Sequence, residues 1–130
     1  MDSRVDLTEA FAAFDDHWSP RIVARINDME LKVVKVKGDF VWHRHEETDE
    51  FFMVHRGHVT VELRDRKVPL AAGQCFVVPR GVEHRPRAEA ECELLLLEPA
   101  GTVNTGDAGG DRTTTAEPWI PPAGMARMAR

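Results

Sequence analysis

The first twenty residues have apolar positions at helical spacing, whereas the chain beyond them reads as short strands. The helical set is Leu7, Ala10, Phe11, Phe14 and Trp18. Apolar residues three and four apart form one face of an amphipathic helix. Asp6 followed by Glu9 resembles a capping box, and Ser19-Pro20 is a stop signal. The pattern therefore predicts an N-terminal helix within residues 1–20.

From residue 21 onward, apolar and β-branched residues come in short runs separated by turn residues. The predicted strands are residues 21–26, 29–37, 40–45, 50–56, 58–64, 67–70, 75–78, 82–87 and 92–98. Short strands at regular spacing are typical of a sandwich or barrel. The residues expected to supply its inward apolar layers are Leu31, Val33, Val34, Val59, Val61, Leu63, Leu94 and Leu96. An all-β barrel over residues 21–100 is the predicted fold.

Beyond Glu98 the composition changes to Gly, Thr, Asp and Ala, without core periodicity. Residues 101–130 are therefore expected to form a C-terminal arm that is partly disordered. Trp119 and Ile120 are an exception, because an apolar pair in a polar segment commonly docks onto a surface.

Length and charge narrow the class of protein. A chain of 130 residues suits one domain with a core of its own. A formal net charge of -5 argues against nucleic acid or an anionic membrane as partner. The longest apolar run, Leu94 to Leu97, is too short to cross a bilayer, and no leader-like segment opens the sequence. The expected location is the cytoplasm.

The two cysteines, Cys75 and Cys92, both lie in apolar strand patterns. Buried, reduced thiols are the expected state of such residues. A less favoured alternative brings Cys75 towards a metal, if its strand turns that face inward.

A His-x-His pair is the strongest candidate for chemistry. His43 and His45 share one face of a strand if residues 40–45 are extended, because side chains two apart point the same way. The acidic turn at residues 46–49 then reverses the chain. The alternation of side chains along a strand does not decide whether Asp49 or Glu50 supplies a carboxylate next to the two histidines.

The surrounding glycines and a second block make the sequence resemble the two motifs of the cupin superfamily, over roughly residues 30–100. The matching positions are Gly38, His43, His45, Glu50 and Gly57 in the first block, and Gly73, Pro79, Gly81 and His84 in the second. Gly38 and His43 stand one residue closer than is usual, and Ala88 occupies the position of a frequent asparagine.

The resemblance implies a cupin double-stranded β-helix, that is, a jelly-roll barrel. It also implies one divalent transition metal per chain, held by His43, His45, Glu50 and His84, with Glu50 and His84 as the catalytic residues. The resemblance selects Glu50 over Asp49, and it selects His84 over the other histidines. His17, His55 and His58 are expected to be surface residues.

The ligand types suit Zn, Fe, Mn or Ni, so the sequence does not name the metal. Val41, Phe52, Val54 and the strand around Leu94–Leu97 would line an apolar cavity beside it. The ligands are expected to be the only charged groups inside the barrel. With no tyrosine and no evident nucleophile, Lewis-acid activation is the mechanism that the residues favour.

The resulting hypothesis is a metal-dependent cupin enzyme that acts on a small polar metabolite bound directly at the metal. One alternative follows from LLLLEPAGTVNTGD, residues 94–107, which resembles the barrel end of small cupins that include the zinc-dependent domains of hydrazine synthetases. Such a protein would need a separate synthetase-like enzyme. The resemblance to small cupins also allows an Fe(II) dioxygenase, or an enzyme that isomerises or eliminates on sugar-like or carboxylate compounds. A non-catalytic module that binds a small molecule is a further alternative.

A homodimer is also expected. Strand alternation would place Phe40, Trp42, Phe51 and Met53 on the outward face of the barrel. Four such side chains together would form an apolar patch that needs a cover. The patch could be covered by a partner subunit, by the N-terminal helix or by the C-terminal arm.

Overall fold

The computed structural model describes residues 4–119 and is almost entirely β-structure. One helix, α1, comprises Leu7–Ala12. The strands in chain order are β1 Arg21–Ile26, β2 Met29–Asp39, β3 Glu50–Arg56, β4 His58–Leu63, β5 Lys67–Ala71, β6 Cys75–Val78, β7 His84–Pro99 and β8 Glu117–Pro118. The described part of the chain contains no helix that could span a membrane.

The helix is shorter than the spacing of apolar residues predicts. Asp6 caps its start, because its carboxylate accepts a hydrogen bond of 3.1 Å from the Glu9 backbone N–H. The helix ends before Phe14 and Trp18, and Trp18 has a left-handed backbone with φ of 63°. These two aromatic residues are therefore apolar anchors of an irregular segment, not part of a helical face.

Strand β7 is the centre of the sheet. Its first residues pair with β4, and its remainder pairs with β2 on one side and β3 on the other, always antiparallel. The path through the sheet runs β5-β4-β7-β2-β1-β8, while β3 joins β6 to β7. The two strands predicted at 82–87 and 92–98 are thus one long strand of 16 residues, which starts at His84.

The sheet has two faces with different covers. We call the face that carries Val34, Phe52 and Leu96 the inner face, because these side chains belong to the main buried cluster. The outer face carries Val33 and Leu95, which pack with Phe11 and Phe14 of the N-terminal segment. Val33 and Leu31, expected to point inward, therefore belong to the outer face. Neighbouring strand residues point to opposite sides, so Val33 and Val34 cannot both be inside.

The predicted strand 40–45 is wrong. Among residues 40–49 only His43 takes part in a β-bridge, and its partner is His84. Strict alternation fails in such an irregular segment. Phe40, expected to be outward, is buried at 7% exposure and stacks on Trp18 with ring centroids 4.7 Å apart.

The remaining members of the expected outward patch are also partly covered. The guanidinium of Arg64 lies 3.9 Å from the centroid of the Trp42 ring. Met53 packs against the cluster beneath the helix. Phe51 is half-buried, and it pairs with Leu97 on β7 and Val77 on β6. What remains open on the outer face is a smaller patch centred on Val77, which is 47% exposed.

Residues 101–119 of the predicted arm are docked on the barrel. Strand β8 pairs in parallel with β1, and the Trp119 backbone N–H donates a hydrogen bond of 2.8 Å to the Ile22 carbonyl. Ile120 and the rest of the arm lie outside the described residues.

Candidate metal centre

Three chain segments bring the four motif residues together. His43 and His45 lie in the connection between β2 and β3, Glu50 is the first residue of β3, and His84 is the first residue of β7. His43 and His84 exchange backbone hydrogen bonds of 3.0 and 2.8 Å. The Gly81 N–H donates to the His45 carbonyl at 2.8 Å. The second sequence block therefore fixes the backbone of the first.

The four side chains are buried and converge on one point. One ligand atom from each of His43, His45, Glu50 and His84 lies within 4.8 Å of the others. The Nε2 atoms of His45 and His84 each lie 3.1 Å from Glu50 Oε1. Imidazole nitrogens and a carboxylate oxygen are the donor types that divalent transition metals take in proteins. The four residues thus form a group that could bind a divalent metal ion, and we call this group the metal group.

The imidazole tautomers suit metal binding. His43 Nδ1 donates to the Val41 carbonyl at 2.9 Å, and His84 Nδ1 donates to the Val82 carbonyl at 3.0 Å. A proton held on Nδ1 leaves the Nε2 lone pair free for a metal. His45 Nε2 is buried and makes no hydrogen bond of good geometry with a described residue, although it lies 3.1 Å from Glu50 Oε1. An orphaned polar atom of this kind is costly, and a metal ion would satisfy it.

Burial and mutual proximity shift the ionisation of the group. Burial, together with the neighbouring His84, lowers the pKa of His43 to about 4. For Glu50, burial alone would raise the pKa, but contacts with His45, His84 and Glu98 hold it well below its usual value. Neutral imidazoles and an ionised carboxylate are the forms that bind metal ions.

A second carboxyl lies behind Glu50, contrary to the expectation that the ligands are the only charged groups inside. Glu98 is 1% exposed and contacts Glu50, and its Oε2 accepts a hydrogen bond of 2.8 Å from the Nζ of Lys32. Lys32 is also 1% exposed. Burial and the nearby Glu50 raise the pKa of Glu98 well above its usual value, against the effect of Lys32.

The sequence contains a signal for this buried pair. Lys32 shares strand parity with Val34, and Glu98 shares it with Leu96, so both belong to the inner face. Charged residues on a strand are expected to face solvent, and that expectation is wrong here. The register between β2 and β7, which places Lys32 opposite Leu96, brings the two side chains within reach.

A small cavity opens beside the metal group. Its volume is about 40 Å³, which is room for a few water molecules. Phe52, Leu94 and Leu96 line it, as the sequence predicts, and Trp18, Phe40 and Asn104 add walls that the sequence did not indicate. Because Asn104 comes from the C-terminal arm, that arm is part of the site.

The remaining histidines and the cysteines lie elsewhere. His17 and His58 are exposed, and His55 stacks on Phe11 with centroids 5.2 Å apart, so none belongs to the metal group. Cys92 is buried as predicted, and burial raises the pKa of its thiol to about 12. The expectation of a buried Cys75 is wrong. Cys75 pairs with Met53 of the outer face and is exposed, so it does not approach the metal group.

The fold and this four-residue group are those of a cupin, and comparison with known families agrees. The cupin-domain family Cupin_2 matches residues 31–98, so the chain belongs to the cupin superfamily. Its all-β architecture is the jelly-roll barrel of that family.

Three relatives illustrate the similarity. A cupin-2 domain protein from Shewanella frigidimarina has a TM-score of 0.74 at 44% identity, covering 75% of this chain and 95% of its own. Protein NMB1881 from Neisseria meningitidis has a TM-score of 0.69 at 33% identity, covering 74% and 98%. Protein SchB from Streptomyces halstedii is 30% identical over 97 residues, which is 75% of this chain and 70% of SchB.

Proposed function

We propose that this cupin is a metalloenzyme that binds one divalent transition metal per chain and acts on a small polar metabolite. The observation that carries the proposal is the convergence of four buried ligand atoms within 4.8 Å, directly beside a cavity. A site built only for stability would need no cavity. Catalytic metal sites keep room for substrate or water next to the ion.

The cavity favours a small substrate. At about 40 Å³ it accommodates only a few non-hydrogen atoms without movement of its walls. Its lining is mostly apolar, and the polar side chains that reach it are few, among them His43, Glu50 and Asn104. A substrate would therefore bind chiefly through a polar group at the metal, while the apolar walls exclude water and larger molecules.

A bound metal would supply Lewis-acid activation or, if it is iron, redox chemistry. The residues of the chain would hold the metal-binding side chains in position. The Nδ1–H groups of His43 and His84 fix both rings through backbone carbonyls. Glu50, a proposed catalytic residue, faces the centre, and Glu98, whose pKa is raised by burial and by Glu50, lies behind it. His84, the second proposed catalytic residue, lies 3.1 Å from Glu50 Oε1.

Zn, Fe, Mn and Ni all accept three imidazoles and a carboxylate, so the metal decides among the candidate reactions. Zinc would favour redox-neutral chemistry, including nitrogen–nitrogen bond formation with a separate synthetase-like partner. Iron would favour dioxygenation. Tight binding of small molecules without turnover would favour the non-catalytic module.

The test begins with protein purified without added metal and analysed for its elements. We expect close to one transition metal ion per chain. The protein is then stripped with a chelator and reloaded with Zn, Fe, Mn or Ni separately, and each form is tested against small hydroxylated, carboxylate and amine metabolites. Turnover that vanishes on chelation and returns with one metal supports the proposal. Equal turnover by verified metal-free protein would overturn it.

A further inference from the structure

The C-terminal arm crosses the metal-binding segment although it lies beyond the part of the chain that matches the cupin family, residues 31–98. We propose that Gly106 and Asp107 are positioning residues of the metal centre, which hold the backbone between His43 and His45. This inference rests on the proposed metal-dependent function and assigns to the arm a role in metal affinity.

The first observation is a pair of hydrogen bonds to Arg44, the residue between the two ligands. The Arg44 backbone N–H donates to Asp107 Oδ1 at 2.9 Å. The Asp107 backbone N–H donates to the Arg44 carbonyl at 3.1 Å. Both peptide groups that flank Arg44 are thereby fixed from the side of the arm. Those peptide groups set the directions in which His43 and His45 project.

The second observation is the close approach at Gly106. A Cβ atom on Gly106 would lie 2.2 Å from the Arg44 carbonyl oxygen and 3.2 Å from Cδ2 of the His43 ring. Backbone atoms cannot yield to such a contact as the end of a flexible side chain can. Any residue except glycine would push the arm away from Arg44 or displace His43. The arm therefore passes so close to Arg44 and His43 that no side chain fits between them at position 106.

The ligand segment needs this support because it is not part of a regular strand. His84 pairs with the backbone of His43, and Gly81 donates to the carbonyl of His45. The groups of Arg44 point the opposite way, where a sheet would place a neighbouring strand. Asp107 occupies that position. Without it, the two imidazoles would be held from one side only.

The arm is held together by hydrogen bonds of its own. Thr105 is fully buried, and its hydroxyl lies 2.6 Å from the Thr113 hydroxyl. The Asn104 side chain donates to the Arg112 carbonyl at 2.8 Å and accepts from the Thr114 N–H at 2.9 Å. These contacts close residues 104–114 into a loop that is braced internally. Precise ligand geometry requires a supporting shell of this kind.

The arm could instead stabilise the fold in general without positioning the ligands. Substitutions at two glycines of the arm distinguish these two roles. Gly109 also lies in the arm with a positive φ of 64°, but a Cβ there would meet nothing within 4 Å. Gly106→Ala and Gly109→Ala therefore introduce similar backbone strain, with φ of 53° and 64° before substitution. They differ in the contact with Arg44 and His43.

The experiment measures the zinc dissociation constant of the full-length protein by chelator competition, together with thermal unfolding of the metal-free form. Gly106→Ala should weaken zinc binding by about tenfold to a hundredfold, the range for loss of a supporting group. Gly109→Ala should stay within about twofold of the parent. The absorption spectrum of the cobalt(II)-loaded protein should change in Gly106→Ala and stay unchanged in Gly109→Ala, because it reports ligand geometry directly.

Asp107→Ala provides a second test if Gly106→Ala fails to fold, with Asp111→Ala as its charge-matched control on the exposed surface of the arm. Equal zinc affinities and cobalt spectra in the variant and its control would overturn the inference. So would a loss of affinity accompanied by unfolding of the metal-free protein in both Gly106→Ala and Asp107→Ala. A parent protein that binds no metal would instead refute the proposed function itself.

Discussion

Lys32 Nζ lies 2.8 Å from Glu98 Oε2 inside the barrel, and both side chains are almost completely removed from solvent. The pair lies directly behind Glu50, which Glu98 contacts. Lys32 of β2 and Glu98 of β7 are thus joined to Glu50, the β3 residue of the candidate metal centre. Taking such charges out of water is costly, so the pair links stability to the geometry of the site.

We expect Lys32→Met to lower the free energy of unfolding by about 3 kcal/mol, because it removes the cation that partners a buried carboxyl. The double variant Lys32→Met, Glu98→Leu should be more stable than Lys32→Met alone. Urea unfolding of both single variants and the double variant measures the coupling. Arg87→Met is the control, since its exposed pair with Asp39 at 2.9 Å should contribute less than about 1 kcal/mol. Additive effects of Lys32 and Glu98 would show that the two residues are not coupled.

Loss of any motif histidine should abolish stoichiometric metal binding. We expect His43→Ala, His45→Ala and His84→Ala to weaken metal affinity by at least about a hundredfold, because each removes a direct ligand. His58→Ala is the matched control, since His58 is exposed and lies outside the group. Elemental analysis of the dialysed proteins measures the number of metal ions bound per chain. Similar metal loss in His58→Ala would contradict the assignment of the ligands.

The stability of the metal-free protein should depend on pH through His43. Its pKa of about 4 in the folded protein lies below the value near 6.5 of an unfolded histidine. Between these values the unfolded chain binds more protons than the folded one, so stability falls as pH drops from about 6.5 to about 4. The contribution is on the order of 3 kcal/mol.

Urea unfolding of chelated protein across this range tests the pH dependence. His43→Gln should reduce the slope of unfolding free energy against pH, while His58→Gln should retain it. Glu50, whose pKa is lowered, adds a loss in the same direction at more acidic pH, below about 4.5. An unchanged slope in His43→Gln would show that another group carries the effect.

A homodimer remains our expectation, with the outer face around Phe51, Leu97 and Val77 as its interface. Val77→Glu should shift the protein towards monomer in light scattering at micromolar concentration, because a buried charge without a partner destabilises an interface. Val103→Glu is the control, since Val103 has a similar exposure of 45% but lies on the arm. A parent protein that is monomeric at all concentrations would show that this patch is simply exposed.

The sequence predicted the convergence of the four motif residues better than it predicted the residues around them. His43, His45, Glu50 and His84 come from two compact motifs whose order survives irregular backbone, so the resemblance located them even though the strand expected at 40–45 is absent. The motifs identify these residues by their order and spacing in the sequence. This identification does not require that residues 40–45 form a regular strand.

The supporting residues escaped prediction for physical reasons. Lys32 looks like a surface residue until the register with β7 brings it to Glu98, and register is a long-range property. Gly106 looks like one of several glycines in a low-complexity arm. Its contact with Arg44 depends on how the whole barrel between them folds. Strand parity assigns Lys32 and Glu98 to the inner face, but no local pattern shows that their side chains meet or that Gly106 approaches Arg44.

Trp18 is an intrinsic fluorescence probe of the cavity beside the candidate metal centre. Its ring stacks on Phe40 and forms a wall of the cavity, whereas neither Trp42 nor Trp119 lines that cavity. The chain contains no tyrosine, so its emission comes from these three tryptophans. A variant with Trp42→Phe and Trp119→Phe would leave a single emitter at the candidate site. Unlabelled protein of this kind could be screened against collections of small metabolites by fluorescence, without knowledge of the reaction in advance.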